Sequence, residues 1–348
     1  MPNLALVMIV RDEAHSLERC LKSAKPFVDK MIVLDTGSKD ETVRIAESCG
    51  AIVSTFRWID DFSAARNAAL DLSDAEWNLI LDGDEWIDDG KLLLDFPDTD
   101  AFIGTIPIAS HFDLNGRVEV SVSWIPRLLP KGVRYKGHVH EQPDSMLPRR
   151  PLNVKVGHDG YRQERIMQKQ GRNRDLLLKA IAESPEDAYF YYQLGKDYEV
   201  YEDFNRAVEH YRQALAFSSL ADTFRHDLVV RTIFSLKKAD CHEEAIQFAE
   251  AEMTNWPDSP DFFFSLGDLL LDWAVLNPAK AYQDLLPMVE SCWRKCLEIG
   301  ERPMLAGSVR GRGSYLAAQN LAVLYDGVGN QSEAEKFREM ALHLRSTC

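Results

Sequence analysis

Four apolar runs, separated by stretches of helical spacing, pace out the start of this chain, and that alternation limits its folds more than any other feature. LALVMIV at residues 4–10 is unbroken apolar sequence, as expected of a strand buried on both faces. AHSLERCLKSAKPF follows with helical spacing, and KMIVLDTGS is a second strand that runs into a polar turn. DETVRIAESCG is a helix with an acidic first turn and a glycine stop. AIVSTF, DFSAARNAALDLS and EWNLILDGDE then repeat strand, helix, strand. This order predicts a mostly parallel α/β sheet covered by helices on both sides. Ligands of such sheets bind beyond the carboxyl ends of the strands. Arg11, Asp12, Glu13, Asp35, Asp82 and Asp84 all fall at those ends.

After Asp89 the texture changes. AFIGTIPIAS, RVEVSVSWIPRLLP and VRYKGHVHEQP read as strands of a mixed or antiparallel extension, and helical spacing takes over near residue 163. The expected domains are therefore 1–162 and 163–348. The second half repeats. Leu194, Leu266 and Leu321 each precede a small residue (Gly195, Gly267, Ala322), and Ala207, Ala279 and Ala334 follow each Leu at a fixed offset. Ala245 holds the corresponding place in the gap between the first two. Small residues at fixed offsets let paired helices pack closely. The pattern resembles tetratricopeptide repeats and predicts an all-α solenoid of about four helical pairs, by default a surface for binding or for pairing two subunits.

A formal net charge of −15 argues against non-specific binding to nucleic acid or anionic membrane. No apolar run is long enough to span a bilayer, and the first residues lack the basic start of a signal peptide. The six cysteines form no CxxC pair and no zinc-finger spacing. These features predict a soluble, cytoplasmic chain with reduced thiols.

The acidic run LILDGDEWID poses the chemical question. Asp82 and Asp84 flank Gly83, and in an extended segment residues two apart point the same way. Both carboxylates would then face one ligand, with the glycine letting it approach the backbone. Crowded hard oxygens of this kind suit Mg²⁺ or Mn²⁺, often shared with substrate phosphates. A solvated acidic loop is the plain alternative, but the position at the end of a buried strand favours the ligand.

MIVRDEAHSLERCLKS, VDKMIVLDTGSKDET, FRWIDDFSAARNAAL and WNLILDGDEWI together resemble the successive motifs of a family 2 glycosyltransferase of the GT-A, Rossmann-like fold. YKGHVHEQP and VGHDGY, followed by tetratricopeptide-like repeats, resemble one subgroup of it, the peptide S-glycosyltransferases of the sublancin type. The resemblance implies an inverting, metal-assisted transfer from a nucleotide sugar, UDP-linked, to a hydroxyl or thiol. It puts Val10 to Glu13 (Val10, Arg11 and Glu13 above all) and Asp35 in the nucleotide pocket, with Asp35 near the uracil or ribose. Arg66 and Asn67 would lie near the diphosphate or sugar. Asp82 and Asp84 become a DxD motif holding Mn²⁺ or Mg²⁺, with Asp84 the direct ligand and His140 or His158 completing the site. Glu141 would be the base that takes the acceptor's proton. Each has a plainer reading: Asp35 can cap its own turn, Arg66 can lie on a helix surface, and Glu141 can make a structural salt bridge.

His138 and His140 alternate along a strand, so His140 and Glu141 reach one site only if the strand ends or bulges there. A peptide or glycan is the expected acceptor, bound by the helical half, which alternatively pairs two subunits. The rival function is a binding scaffold whose repeats do the work beside a non-catalytic transferase-like domain.

Overall fold

In a computed structural model, residues 3–94, 100–114, 117–158 and 172–347 are described. They fall into two compact units, Met1–Glu183 and Ser184–Cys348. The boundary expected at 162/163 lies outside the described residues.

The first unit is built on a curled mixed sheet. Its opening strands are β1 (Leu4–Val10), β2 (Lys30–Asp35), β3 (Ile52–Thr55) and β4 (Trp77–Ile80). Between them run α1 (Leu17–Ala24), α2 (Thr42–Ser48) and α3 (Phe62–Asp71). β1 pairs in parallel with β2 and β4, and β2 with β3, as the strand–helix alternation predicts. Leu4, Leu6, Met8 and Val10 pack on one face with Leu17 and Leu21 of α1. Ala5 and Val7 pack on the other face with Ala69 and Leu70 of α3. Burial on both faces is why β1 carries no polar residue.

The rest of the sheet is mixed. β5 (Glu85–Asp89), β6 (Ile103–Leu114), β7 (Arg117–Pro130), β10 (Arg149–Pro151) and β11 (Lys155–His158) join it. The order is β3-β2-β1-β4-β7-β6-β11-β5, with β10 alongside β6. β8 (Arg134–Lys136) and β9 (Gln142–Asp144) form a separate two-stranded ribbon. Only four residues separate β4 from β5, yet β5 ends the strand order. The sheet must therefore curl until its far edge returns to the carboxyl end of β4. That curl brings β11, and His158 opposite Glu85, to the acidic run.

The second unit is helical. After α4 (Arg172–Glu183), which closes the first unit, come α5 (Ala188–Val200), α6 (Phe204–Phe217), α7 (Arg225–Lys238) and α8 (His242–Glu252). α9 (Pro260–Leu276), α10 (Leu286–Ile299), α11 (Tyr315–Gly327) and α12 (Gln331–Thr347) follow. These are the four expected pairs. Three of the pairs are joined by three-residue loops, 201–203, 239–241 and 328–330. Each such loop has a left-handed middle residue: Glu202 (φ 59), Asp240 (φ 59) and Gly329 (φ 79).

The small residues do what their spacing suggests. A Cβ on Gly195 would come within 2.3 Å of the Tyr211 ring on α6, and one on Gly267 within 2.5 Å of Trp293 on α10. Ala207, Ala245 and Ala334 are fully buried. Ala279 breaks the pattern and is exposed. The third pair is joined by residues 277–285, which include a short π-helical stretch, so Ala279 lies in a connection and not in a helix crossing. Among the described residues no helix is long and apolar enough to cross a membrane.

Candidate active site

The loops at the carboxyl ends of β1 and β2 are stitched together. Asp12 adopts a left-handed φ of 55, held by its N–H donating to Ser38 Oγ (2.9 Å) and by Lys39 N–H donating to its carboxylate (2.7 Å). Glu13 N–H donates to Thr42 Oγ1 (2.8 Å). Arg11 lies beside Asp12, Nε to Oδ2 3.9 Å, with its side chain well exposed. The Val10 side chain belongs to the core, and its carbonyl accepts from both Thr36 N–H and Thr36 Oγ1. Asp35 is buried and accepts from the N–H groups of Gly37 (3.0 Å) and Ser38 (3.1 Å), so it does cap its own turn.

The acidic run is not extended. Residues 81–84 form a turn between β4 and β5, closed by Glu85 N–H donating to the Asp82 carbonyl (3.0 Å). Alternation along a strand therefore does not apply, and Asp82 and Asp84 have different partners. The Asp82 carboxylate accepts from Arg66 Nη2 (2.6 Å) and Arg127 Nη2 (2.7 Å). Asp84, buried, has its Oδ2 3.5 Å from His158 Nε2. Gly83 is explained by its neighbour: a Cβ there would come within 2.9 Å of Glu13 Cγ. The small residue thus lets the β1 loop close on the turn.

Five charged side chains form one cluster, largely buried except for Asp82, whose side chain is 40% exposed. α3, capped by Asp61 accepting from Ala64 N–H, supplies Arg66, whose Nε donates to Glu141 Oε1 (2.5 Å). β7 supplies Arg127, which also donates to Glu85 Oε1 (2.5 Å), while Glu85 Oε2 accepts from Asp82 N–H (2.9 Å). Arg66 and Arg127 are only 7% and 6% exposed. Burial pushes the Asp82 carboxyl up, but Arg127 and Arg66 more than offset it and hold the group well below the usual carboxylate range. Burial raises the Glu85 carboxyl, and the negative Asp82 adds to it against the pull of Arg127. Burial drives the Tyr135 hydroxyl beside them up to about 12. Burial lowers the affinity of His158 for a proton, but the hydrogen bond and charge of Asp84 outweigh it and raise its pKa.

Asn67 engages the Tyr135 backbone at both ends, its Oδ1 accepting from the N–H (2.8 Å) and its Nδ2 donating to the carbonyl (3.0 Å). It thereby fixes β8 to α3. The strand does end before His140 and Glu141: β8 stops at Lys136, and Gly137 (φ 96) and His140 (φ 52) turn the chain toward β9. Arg127, absent from the expected set, links two of these carboxylates, as many as Arg66 does. Its signal was one charge inside the apolar run WIPRLLP.

Among the described residues no three His, Cys, Asp or Glu side chains make a complete metal cage. At the acidic turn Asp84 and His158 face each other as an oxygen and a nitrogen donor. That pair fits a divalent cation which takes its remaining ligands from a bound diphosphate and water.

The family model described as glycosyl transferase family 2 matches residues 5–151. A TPR repeat-containing protein of Synechococcus elongatus is 37% identical over 216 residues, 56% of this chain and 52% of that protein. The chain thus spans about half the length of that relative. The prophage-derived glycosyltransferase SunS of Bacillus subtilis is 25% identical over 290 residues, 78% of this chain and 68% of that one. Glucosyl-3-phosphoglycerate synthase from Mycobacterium tuberculosis, solved with Mn²⁺, UDP and phosphoglyceric acid, is 20% identical with a TM-score of 0.26 over 31% of this chain and 43% of that chain.

Proposed function

We infer that this chain, whose residues 5–151 match the glycosyl transferase family 2 model, moves a sugar from a UDP-linked donor to a hydroxyl or thiol acceptor with inversion at the anomeric carbon. The observation that carries this reading is the facing of Asp84 and His158 across 3.5 Å at the carboxyl end of β4. A parallel sheet collects its ligands at that end. Asp84 and His158 would hold Mn²⁺ or Mg²⁺, and the cation would offset charge growing on the diphosphate as the sugar leaves. Asp82, paired with two arginines, is left to orient the turn, and His140 is left to the loop beside Glu141.

The nucleotide lies against the stitched loops of β1 and β2, at Arg11, Glu13 and Asp35. Val10 shapes that pocket through its backbone. A carboxylate has about four lone-pair sites, so Asp35 can cap its turn and still accept from a ribose hydroxyl or uracil N–H. Glu141 takes the acceptor's proton. Arg66 orients its carboxylate through one oxygen, and Asn67 keeps the ribbon that carries it against α3. The acceptor is a peptide or glycan presented by the helical unit, 163–348 in the expected division, which also offers a surface for a second subunit.

The test is hydrolysis of a panel of UDP-sugars without acceptor, with Mn²⁺, then with EDTA, then with Asp84→Asn. Turnover of one donor that EDTA and Asp84→Asn both abolish supports the reading and identifies the sugar. No turnover and no binding of any UDP donor would sink it in favour of the scaffold.

A further inference from the structure

β7 runs antiparallel to β4 with Leu128 opposite Leu79, which brings Arg127 level with the end of β4 where the acidic turn begins. Its Nη2 donates to Asp82 at one end of the turn (2.7 Å) and to Glu85 at the other (2.5 Å). Glu85 in turn accepts from the Asp82 N–H (2.9 Å). Three hydrogen bonds thus close a ring around the two residues inside the turn, Gly83 and Asp84. Asp84 leaves that ring 3.5 Å from His158.

Two further features belong to this arginine. One nitrogen of a planar guanidinium, Nη2, holds two carboxylates at once, in a fixed geometry that a lysine's flexible ammonium does not reproduce. Arg127 Nε is also buried with no hydrogen-bond partner, as is Arg66 Nη1. A buried donor left unpaired costs about 1–3 kcal/mol, and Arg225 Nε in the helical unit bears the same cost.

We propose that Arg127 is a positioning residue of the donor site: it holds the Asp82–Glu85 turn in the one shape that presents Asp84 to a diphosphate-bound cation. The proposal rests on the transferase reading above. Arg127 itself touches neither sugar nor cation; it acts through Asp84.

Calorimetry of UDP with and without MnCl2 tests this on the full chain, with thermal unfolding recorded for every variant. In the wild type Mn²⁺ tightens UDP binding, and Asp84→Asn removes that gain. Groups that orient a metal ligand typically contribute about 10–100-fold in metal affinity or activity. Arg127→Gln should therefore lose about tenfold or more of the Mn²⁺-supported affinity, with metal-free UDP binding within about twofold of wild type. Adding Arg127→Gln to Asp84→Asn should cost nothing further, because residues that act through one group are not additive. Arg127→Lys, which keeps the charge and carries the test if the Gln variant does not fold, should share the loss. The proposal is overturned if Arg127→Lys retains the full Mn²⁺ gain, if the double variant is additively worse, or if UDP affinity falls equally with and without metal. A lower melting temperature with unchanged UDP–Mn²⁺ binding would also overturn it, leaving Arg127 a stabilising residue only. If the wild type shows no Mn²⁺ gain, or Asp84→Asn keeps it, the transferase reading falls first, a result no Arg127 variant can produce.

Discussion

Each unit of this protein holds a largely buried cluster of charged side chains, and the two clusters are finished differently. In the helical unit Arg231 donates to Glu199 (2.5 Å) and Asp227 (2.8 Å), Tyr211 donates to Glu199 (2.7 Å), and Tyr192 donates to Asp227. No side-chain atom of those five is buried without a partner. In the sheet unit Arg66 and Arg127 bind Asp82, Glu85 and Glu141 but leave one N–H nitrogen apiece unmatched. A closed network rigidifies a core. The incomplete one lies at the end of a parallel strand, where the proposed donor site sits. The same residue types are therefore fully paired in one cluster and incompletely paired in the other.

The sharpest way to break that comparison is to disable one member of each cluster's neighbourhood. Asp84→Asn should lower donor hydrolysis by about a hundredfold or more, the scale on which one electrostatic group at a reaction centre acts, while its melting temperature stays near wild type. Arg231→Met should do the reverse. It leaves Glu199 and Asp227 buried beside no guanidinium, a loss of about 3 kcal/mol in stability, with UDP binding unchanged. If Arg231→Met weakened UDP binding as strongly as it weakened the fold, the division of labour would be wrong.

The alternation of strand and helix made the first 90 or so residues legible because burial on two faces demands unbroken apolar strands, and β1 to β4 came out where expected. The repeat was legible through Gly195 and Gly267, because only a residue without a Cβ admits the rings of Tyr211 and Trp293. What the sequence hid was long-range. Arg127 meets residues 42 and 45 positions away only because β7 pairs with β4. The turn at Asp82 to Glu85 was hidden for the same reason: it exists to return β5 to the far edge of the sheet. His158 as the partner of Asp84 was visible only through the family resemblance, and His140 could not be ranked against it from spacing.

Acid sharpens the comparison at smaller scale. Burial opposes ionisation of Asp227, but Arg231 and Lys196 outweigh it and lower its pKa to about 2. A carboxyl depressed in the folded state contributes stability that is fully present above its unfolded value near 3.8 and is lost as pH falls through 2. The contribution is about 2 kcal/mol, at about 1.4 kcal/mol per unit. Chemical denaturation of the isolated Asp227→Asn variant against wild type should therefore show a gap that is constant from pH 7 to 5 and closes between pH 4 and 2. A gap that stays constant through that window would mean Asp227 is not held by its cations.

The smallest effects come from two helix caps, one a carboxylate and one a hydroxyl. Asp61 accepts from Ala64 N–H (2.9 Å) at the start of α3, and Ser259 accepts from Phe262 N–H (3.0 Å) at the start of α9. Replacing either by Ala removes a cap worth about 1 kcal/mol; Ser259→Ala also takes a partner from His226 Nε2, and Asp61→Ala removes the carboxylate 3.1 Å from His138 Nδ1. Calorimetric melting should register both losses. Only α3 carries Arg66, whose two bonds join Asp82 to Glu141. Asp61→Ala should thus also raise KM or lower kcat for donor hydrolysis by a few-fold, since small misplacements of an orienting group are felt in the rate. Ser259→Ala should leave both constants alone. Equal kinetic effects from the two caps would mean that catalysis follows global stability, and that the open cluster is no more functional than the closed one.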